Sequence, residues 1–329
     1  MTIQATGASS GGRWLSGIGV AREERWAAPD TRRLLQLALA GIWLLDAVLQ
    51  FQSFMFTRGF AQMLGGTAQG NPAVIAGPIS WSARLIGQHG TAANAIFAVI
   101  QLLIALGIAW RPTIRLALGA SIAWALGVWW LGEGLGGILN GAASPVNGAP
   151  GAVIIYALLA VLLWPGRPGR PAPFVAGRFT GAALARSLWL VLWGSLAYLA
   201  LQPATRAPHA LSGMISGMAS GEPGWLAGVD NHLGAFLGHR GPAAAVVLAV
   251  VLAVVAVGVW LPRPAARAVI VLAVVAAAAI WIAEGLGGML TGGGTDPNSG
   301  LLLALLAVAY WPLAGRSPVI TQSASPEGA

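Results

Sequence analysis

The chain holds ten acidic residues among 329, and two of them stand in the same setting. The stretch EGLGG occurs in WWLGEGLGGILNG, from Trp129, and again in IWIAEGLGGMLTG, from Ile280. Each copy puts a carboxylate, Glu133 or Glu284, three residues after a tryptophan, Trp130 or Trp281, at the end of a long apolar run. On a continuous helix that spacing gives one shared face. Gly132 with Gly136, Gly137 with Gly141 and Gly288 with Gly292 repeat at the small-xxx-small spacing that lets helices approach closely in lipid. Two kinds of chemistry are open to the glutamates. They cap a helix end or bridge to an arginine such as Arg58, Arg84, Arg206 or Arg240. Alternatively they flank one outward cavity and bind a cation, a proton or a polar headgroup. At about 1.5 Å per residue Glu133 lies about 28 Å along its helix from Ile114, which places it near a membrane boundary.

Asp46, in GIWLLDAVLQFQ, is the one acid deep inside an apolar run. It either bonds Gln50 or a neighbouring helix as a protonated acid, or serves as a proton or quinone-hydroxyl partner. Gln50 and Gln101 are the other polar residues at such depth. A second group lies in a long connection: His209, Met214 and Met218, with Asp230, His232 and His239 further on. Methionine sulfur suits Cu(I), and Asp and His are harder ligands. Methionine at helical spacing also serves as apolar filler. With no cysteine and no lysine, thiolate metal sites, Schiff bases and phosphate-loop lysines are excluded. The glycine string TGGGTDP follows an apolar run rather than a strand, so it is not read as a phosphate loop.

The elements that position these residues are membrane helices. The chain is 57% hydrophobic and 9% charged, the composition of an integral membrane protein. Its net charge of +8 comes from arginines at the ends of apolar runs, not from a nucleic-acid-binding patch. Apolar stretches lie at 34–54, 92–110, 114–131, 151–164, 184–201, 243–260, 265–283 and 300–313. The fourth and eighth are short of the roughly 20 residues a span needs, so re-entrant segments are an alternative there. A shift of 151 residues aligns MLGGTAQGNP with MISGMASGEP, IGQHGTAANAI with LGHRGPAAAVV, and Glu133 with Glu284. The chain therefore reads as a duplication. Asp46 falls on Ala197, so the halves are not equivalent, and Trp81 and Gln88 stand where His232 and His239 would repeat.

If all eight stretches cross, fourteen arginines fall on the N-terminal side and four on the other. If the fourth and eighth do not, the split is ten to eight. Arginine excess marks the cytoplasmic side of short loops. The expectation is an all-α polytopic protein of the plasma membrane. It has eight transmembrane helices in two tandem four-helix units of parallel orientation, with both termini cytoplasmic. Residues 1–30 and 315–329 read as disordered tails, 31–165 and 183–314 as the two units, and 166–182 as a cytoplasmic linker. No signal peptide is evident in WLSGIGVAREER. The connections 55–91 and 202–242 face outward and read as amphipathic helices on the membrane surface.

A basic entry into a first helix (RRLLQLALAGIWLLDAVLQF), an outer amphipathic connection and three further apolar helices resemble, in order and size, the DoxX/DoxD-like four-helix membrane proteins, here in duplicate. The resemblance covers about 32–165 and 183–312, and EGLGG is no part of it. It implies a quinone-linked or redox-complex membrane subunit without a cofactor of its own. Quinone would be a diffusible substrate, and the bilayer and a redox protein would be its partners. A transporter of a small solute, proton or metal ion through the cleft between the halves is the alternative. A structural assembly partner is the second alternative. Whether the chain is an enzyme stays open.

Overall fold

The computed structural model describes residues 30–166 and 172–313. The two expected tails, apart from Asp30, and residues 167–171 of the linker lie outside these. Among the described residues there are helices and turns and no strand. The helices in chain order are α1 (Thr31–Leu49), α2 (Arg58–Gly66), α3 (Ala73–Gln88), α4 (Gly90–Ala109), α5 (Ile114–Leu131), α6 (Ala152–Leu162) and α7 (Gly177–Thr180). They continue as α8 (Ala182–Ala200), α9 (Pro203–Arg206), α10 (Ala210–Met218), α11 (Gly224–Leu237), α12 (Gly241–Gly258), α13 (Arg263–Ala283) and α14 (Asn298–Ala309).

Five of them are long and apolar enough to cross a membrane: α4, α5 with the turn before it, α8, α12 and α13. Leu103, Leu116, Val247 and Val250 are exposed on their outer faces, where lipid rather than water is the fitting solvent. Prolines set several ends. Pro112 follows α4, Pro165 follows α6 and Pro262 follows α12, and each lacks the N–H that would continue the ladder. Helix α1 has 19 residues but carries Arg32, Arg33 and Asp46. Helices α6 and α14 have 11 and 12 residues. Each covers roughly 16–18 Å, against a hydrocarbon core of about 30 Å.

The short helices occupy the centre. Ile155, Leu159 and Leu162 of α6 and Leu302, Leu303 and Leu306 of α14 are fully buried, and α6 packs on α14. Gln36 Nε2 of α1 donates to the carbonyl of Leu163 (2.8 Å), and the Tyr156 hydroxyl of α6 donates to Asp46 Oδ2 of α1 (2.5 Å). These two bonds make α6 antiparallel to α1, so α6 ends where α1 begins. The Tyr310 hydroxyl, just past α14, donates to the carbonyl of Ala185 in the first turn of α8 (2.5 Å). Each tyrosine also packs on a tryptophan: Tyr156 on Trp43 with ring centroids 4.4 Å apart, and Tyr310 on Trp189 at 4.6 Å.

The EGLGG stretches are not helix. Helix α5 ends at Leu131 and α13 at Ala283. The residues after each glutamate then take left-handed backbone angles. In the first copy φ is 56° at Gly134, 58° at Leu135, 64° at Gly136 and 69° at Gly137. In the second it is 59° at Gly285, 52° at Leu286, 72° at Gly287 and 65° at Gly288. A left-handed turn of L-residues costs about 1–2 kcal/mol per residue, and glycine escapes that cost. Three glycines in four make this turn accessible, and Leu135 and Leu286, both half-buried, adopt it as well. This corrects the helical reading of the motif. Trp130 with Glu133, and Trp281 with Glu284, share no α-helical face, and the glycine pairs form left-handed turns rather than a helix-packing stripe.

Candidate functional site

The left-handed turns carry each glutamate to the start of the short helix that follows. The first N–H groups of a helix have no intrahelical acceptor and carry partial positive charge. Those of α6 and α14 are buried. Glu133 Oε1 accepts from Val153 N–H (3.3 Å), 20 residues on. Glu284 Oε1 accepts from the Ser299 hydroxyl (2.5 Å), and its Oε2 accepts from Gly300 N–H (3.2 Å). Glu284 Oε1 also accepts from Gly148 N–H (3.1 Å), 136 residues away. None of Arg58, Arg84, Arg206 or Arg240 pairs with either glutamate, because backbone donors lie nearer and need an acceptor. Glu284 is 1% exposed, so it is interior rather than interfacial.

The two copies differ in completeness. The ends LLAVLLWP and LLAVAYWP align α6 with α14, which puts Ala152 where Ser299 stands. Glu133 therefore meets no hydroxyl. Its Oε2 packs against Gly151 and accepts no hydrogen bond. Burial pushes the Glu133 carboxyl up to about 8, with Asp296 adding to the rise and the backbone donors opposing it. Burial likewise pushes Glu284 up to about 8 against the opposing bonds from Ser299, Gly300 and Gly148.

Glu133 lines a cavity of about 720 Å³ that Glu284 does not reach. Its walls come from α1 (Trp43, Asp46), the residue Gln50 after it, α3 (Ser82), α4 (Phe97, Gln101) and α5 (Trp124, Val128). The segment Gly293–Asp296, with Asn298, closes it from the other half of the chain. Asp296 Oδ1 accepts from Asn298 N–H (2.7 Å) and its Oδ2 from the Thr295 hydroxyl (2.9 Å). Burial raises its pKa, and these bonds oppose the rise. Three carboxyl residues, Asp46, Glu133 and Asp296, thus line one chamber, and among its described lining residues there is no arginine and no histidine. Asp46 Oδ1, Gln50 Oε1, Gln101 Oε1 and Glu133 Oε2 accept no hydrogen bond from the protein. These oxygens are themselves buried, on residues that line the chamber, and the chamber's walls are aromatic.

The expected site residues therefore separate. Asp46, Gln50 and Glu133 come together, and Glu284 sits apart in a sealed set of donors. Asp296, Tyr156 and the tryptophan walls were not expected from the sequence. Asp296 stands in the glycine string TGGGTDP, whose signal was an acid directly before the Pro297–Asn298 start of α14. The candidate ligands for metal do not assemble through histidine. His209, His232 and His239 are exposed, while Asp230 is buried. Met214 packs in an apolar cluster with Leu211 and Ile215, and Met218 lies against Gly285. Among the described residues no three His, Asp or Glu side chains group as metal ligands. Glu222 and Asp230 lie together instead, and burial followed by Asp230 pushes Glu222 up to about 7. No family model, no curated protein and no solved structure matches the chain.

Proposed function

We propose that this integral membrane protein binds, in the chamber around Asp46 and Glu133, a lipophilic small molecule that donates hydrogen bonds, with a quinol as the fitting class. The carrying observation is the set of buried, unmet oxygen acceptors on Asp46, Gln50, Gln101 and Glu133, all residues that line one aromatic-walled cavity. Buried acceptors favour a ligand that supplies donors. The terminal torsions of Asp, Gln and Glu are broad, so these oxygens turn toward a ligand at low cost. A quinol brings two hydroxyl donors and a flat ring for Trp43, Phe97 and Trp124. An oxidised quinone brings only acceptors. The protein then acts as a DoxX-like, quinone-linked or redox-complex subunit of the plasma membrane. It works with a redox partner and holds no cofactor of its own.

A second reading rests on the same lining. Carboxyl groups without a basic neighbour also suit an amphiphilic cation, which a transporter would pass along the chamber. Anaerobic titration of the detergent-purified protein, read by tryptophan fluorescence, separates these readings. A short-tailed quinol is expected to bind at least about tenfold more tightly than its quinone, since one lost donor at a buried site costs about 1–3 kcal/mol. Equal or tighter binding of the quinone rejects the donor reading. Competition by a hydrophobic amine but not by quinol selects the cation.

The topology proposed is eight crossings in two parallel four-helix units with both termini cytoplasmic. Helix α6 supports it by ending beside the start of α1, so the chain returns to that side. The missing length of the fourth crossing falls to residues 143–151, a stretch with a 3-10 turn at Pro145–Asn147 that is packed mostly in protein and lines the cavity, as membrane depth requires. In this arrangement Gln69→Cys and His209→Cys react with an impermeant thiol reagent on intact cells, and Arg111→Cys and Arg263→Cys do not. Labelling at 263 but not at 209 would instead mean that the fourth segment fails to cross.

A further inference from the structure

A second hollow lies on the outside of the α4–α5 hairpin. Its volume is about 740 Å³, and Ile100, Leu103, Gly107, Leu116 and Ala120 line it, with Trp110 at one end. Its one hydroxyl, that of Thr113, is already given to the carbonyl of Gly107 (2.8 Å). From Ile100 to Trp110 the groove runs about 15 Å along α4. Arg33 and Arg111 meet at the Trp110 end, and Arg115 lies in the next turn of the chain. Arg33 donates to the carbonyls of Ile108 (2.9 Å) and Ala109, which brings its charge against that of Arg111. Arg115 follows Arg111 by four residues, and both are exposed. Neither has an acidic partner among the described residues. Exposed arginines such as Arg111 and Arg115 beside Arg33 call for an anion, and a tryptophan beside them marks headgroup depth.

We infer that this groove is a binding site for an anionic phospholipid of the bilayer, with one acyl chain along α4 and the phosphate among Arg33, Arg111 and Arg115. A free phosphate would use the arginines but leave the apolar groove unfilled. A neutral lipid would fill the groove but leave the arginines unpaired. The committed occupant meets both demands. Basic clusters between membrane helices are known anionic-lipid sites in physical terms, because surface potential and apolar burial act together.

Native mass spectrometry of the purified full chain, equilibrated with phosphatidylglycerol or phosphatidylcholine, tests this. The wild type is expected to keep one phosphatidylglycerol at least about fivefold more than phosphatidylcholine, and the Arg111→Gln/Arg115→Gln variant to lose about tenfold in phosphatidylglycerol retention. Ala120→Phe keeps every charge and fills the groove, so it too should lose the bound lipid. Arg111→Lys/Arg115→Lys keeps the charge and should retain most of it. Equal retention of the two lipids by the wild type overturns the site. So does wild-type retention by Ala120→Phe, which would leave only a basic surface.

Discussion

Replacing Glu284 with alanine is expected to destabilise the protein by on the order of 3–6 kcal/mol, enough to abolish recovery of folded material. The reason is local and countable. One carboxyl group accepts from the Ser299 hydroxyl and from the backbone N–H groups of Gly300 and Gly148. All three donors are buried, and each buried donor left without an acceptor costs roughly 1–3 kcal/mol. The Gly148 bond also ties residues 136 apart in sequence, so its loss loosens the packing of α6 on α14. Glu284→Gln keeps one acceptor oxygen and should retain part of this stability. Glu133→Ala removes the bond to Val153 N–H and should cost less. Thermal unfolding in detergent, followed by size-exclusion chromatography, gives the order: Glu284→Ala worst, then Glu284→Gln, with Glu133→Ala mildest. Equal losses at positions 133 and 284 would contradict the difference drawn between the two copies.

The second large effect falls on the left-handed turns. Gly287→Ala is expected to cost about 3 kcal/mol or more. Its φ of 72° already disfavours a side chain, and an added Cβ would lie 2.5 Å from the carbonyl carbon of Pro297 and 2.8 Å from the oxygen of Asp296. Both neighbours are backbone and cannot swing aside. Gly136→Ala meets the backbone of Pro150 in the same way. Gly141→Ala is the control. Its φ is 77° but nothing lies within 4 Å of the added atom, so only the left-handed cost of about 1–2 kcal/mol applies. Unfolding temperatures of the three variants check this. A loss at Gly141 as large as at Gly287 would mean that backbone angle alone, and not the seating of the turn on the next helix, sets the requirement.

The membrane helices were legible because each rests on a local property, a run of apolar residues closed by proline or arginine. The importance of EGLGG was legible from its repetition, but its conformation was not. Glycines four apart fit a close helix contact and a left-handed turn equally well. The choice is made by what the turn must reach, the bare N–H groups at the start of α6 and α14. The asymmetry was present in the sequence as Ala152 opposite Ser299, yet it carries meaning only once the glutamate is known to cap that position. Asp46 was readable as an anomaly at depth, but Tyr156 as its partner was not, because 110 residues separate them and no local pattern links them. Asp296 was hidden for the same reason. Its loop closes a chamber built from the other half of the chain.

One motif used twice meets two settings: three donors seal Glu284 into the frame, while Glu133 Oε2 accepts no hydrogen bond and is proposed to serve a ligand. The most direct test is the quinol dissociation constant measured from pH 6 to pH 9 for the wild type, Glu133→Gln and Glu284→Gln. Burial holds the Glu133 carboxyl at about 8, and ionisation makes it a stronger acceptor for a hydroxyl that itself stays protonated below about 10. Wild-type affinity is therefore predicted to rise as pH climbs through 8, because the bound donor favours the charged acid. Glu133→Gln should bind weakly with no such rise, and folded Glu284→Gln should keep the rise. A pH profile unchanged in Glu133→Gln, or lost in Glu284→Gln alone, would contradict the account.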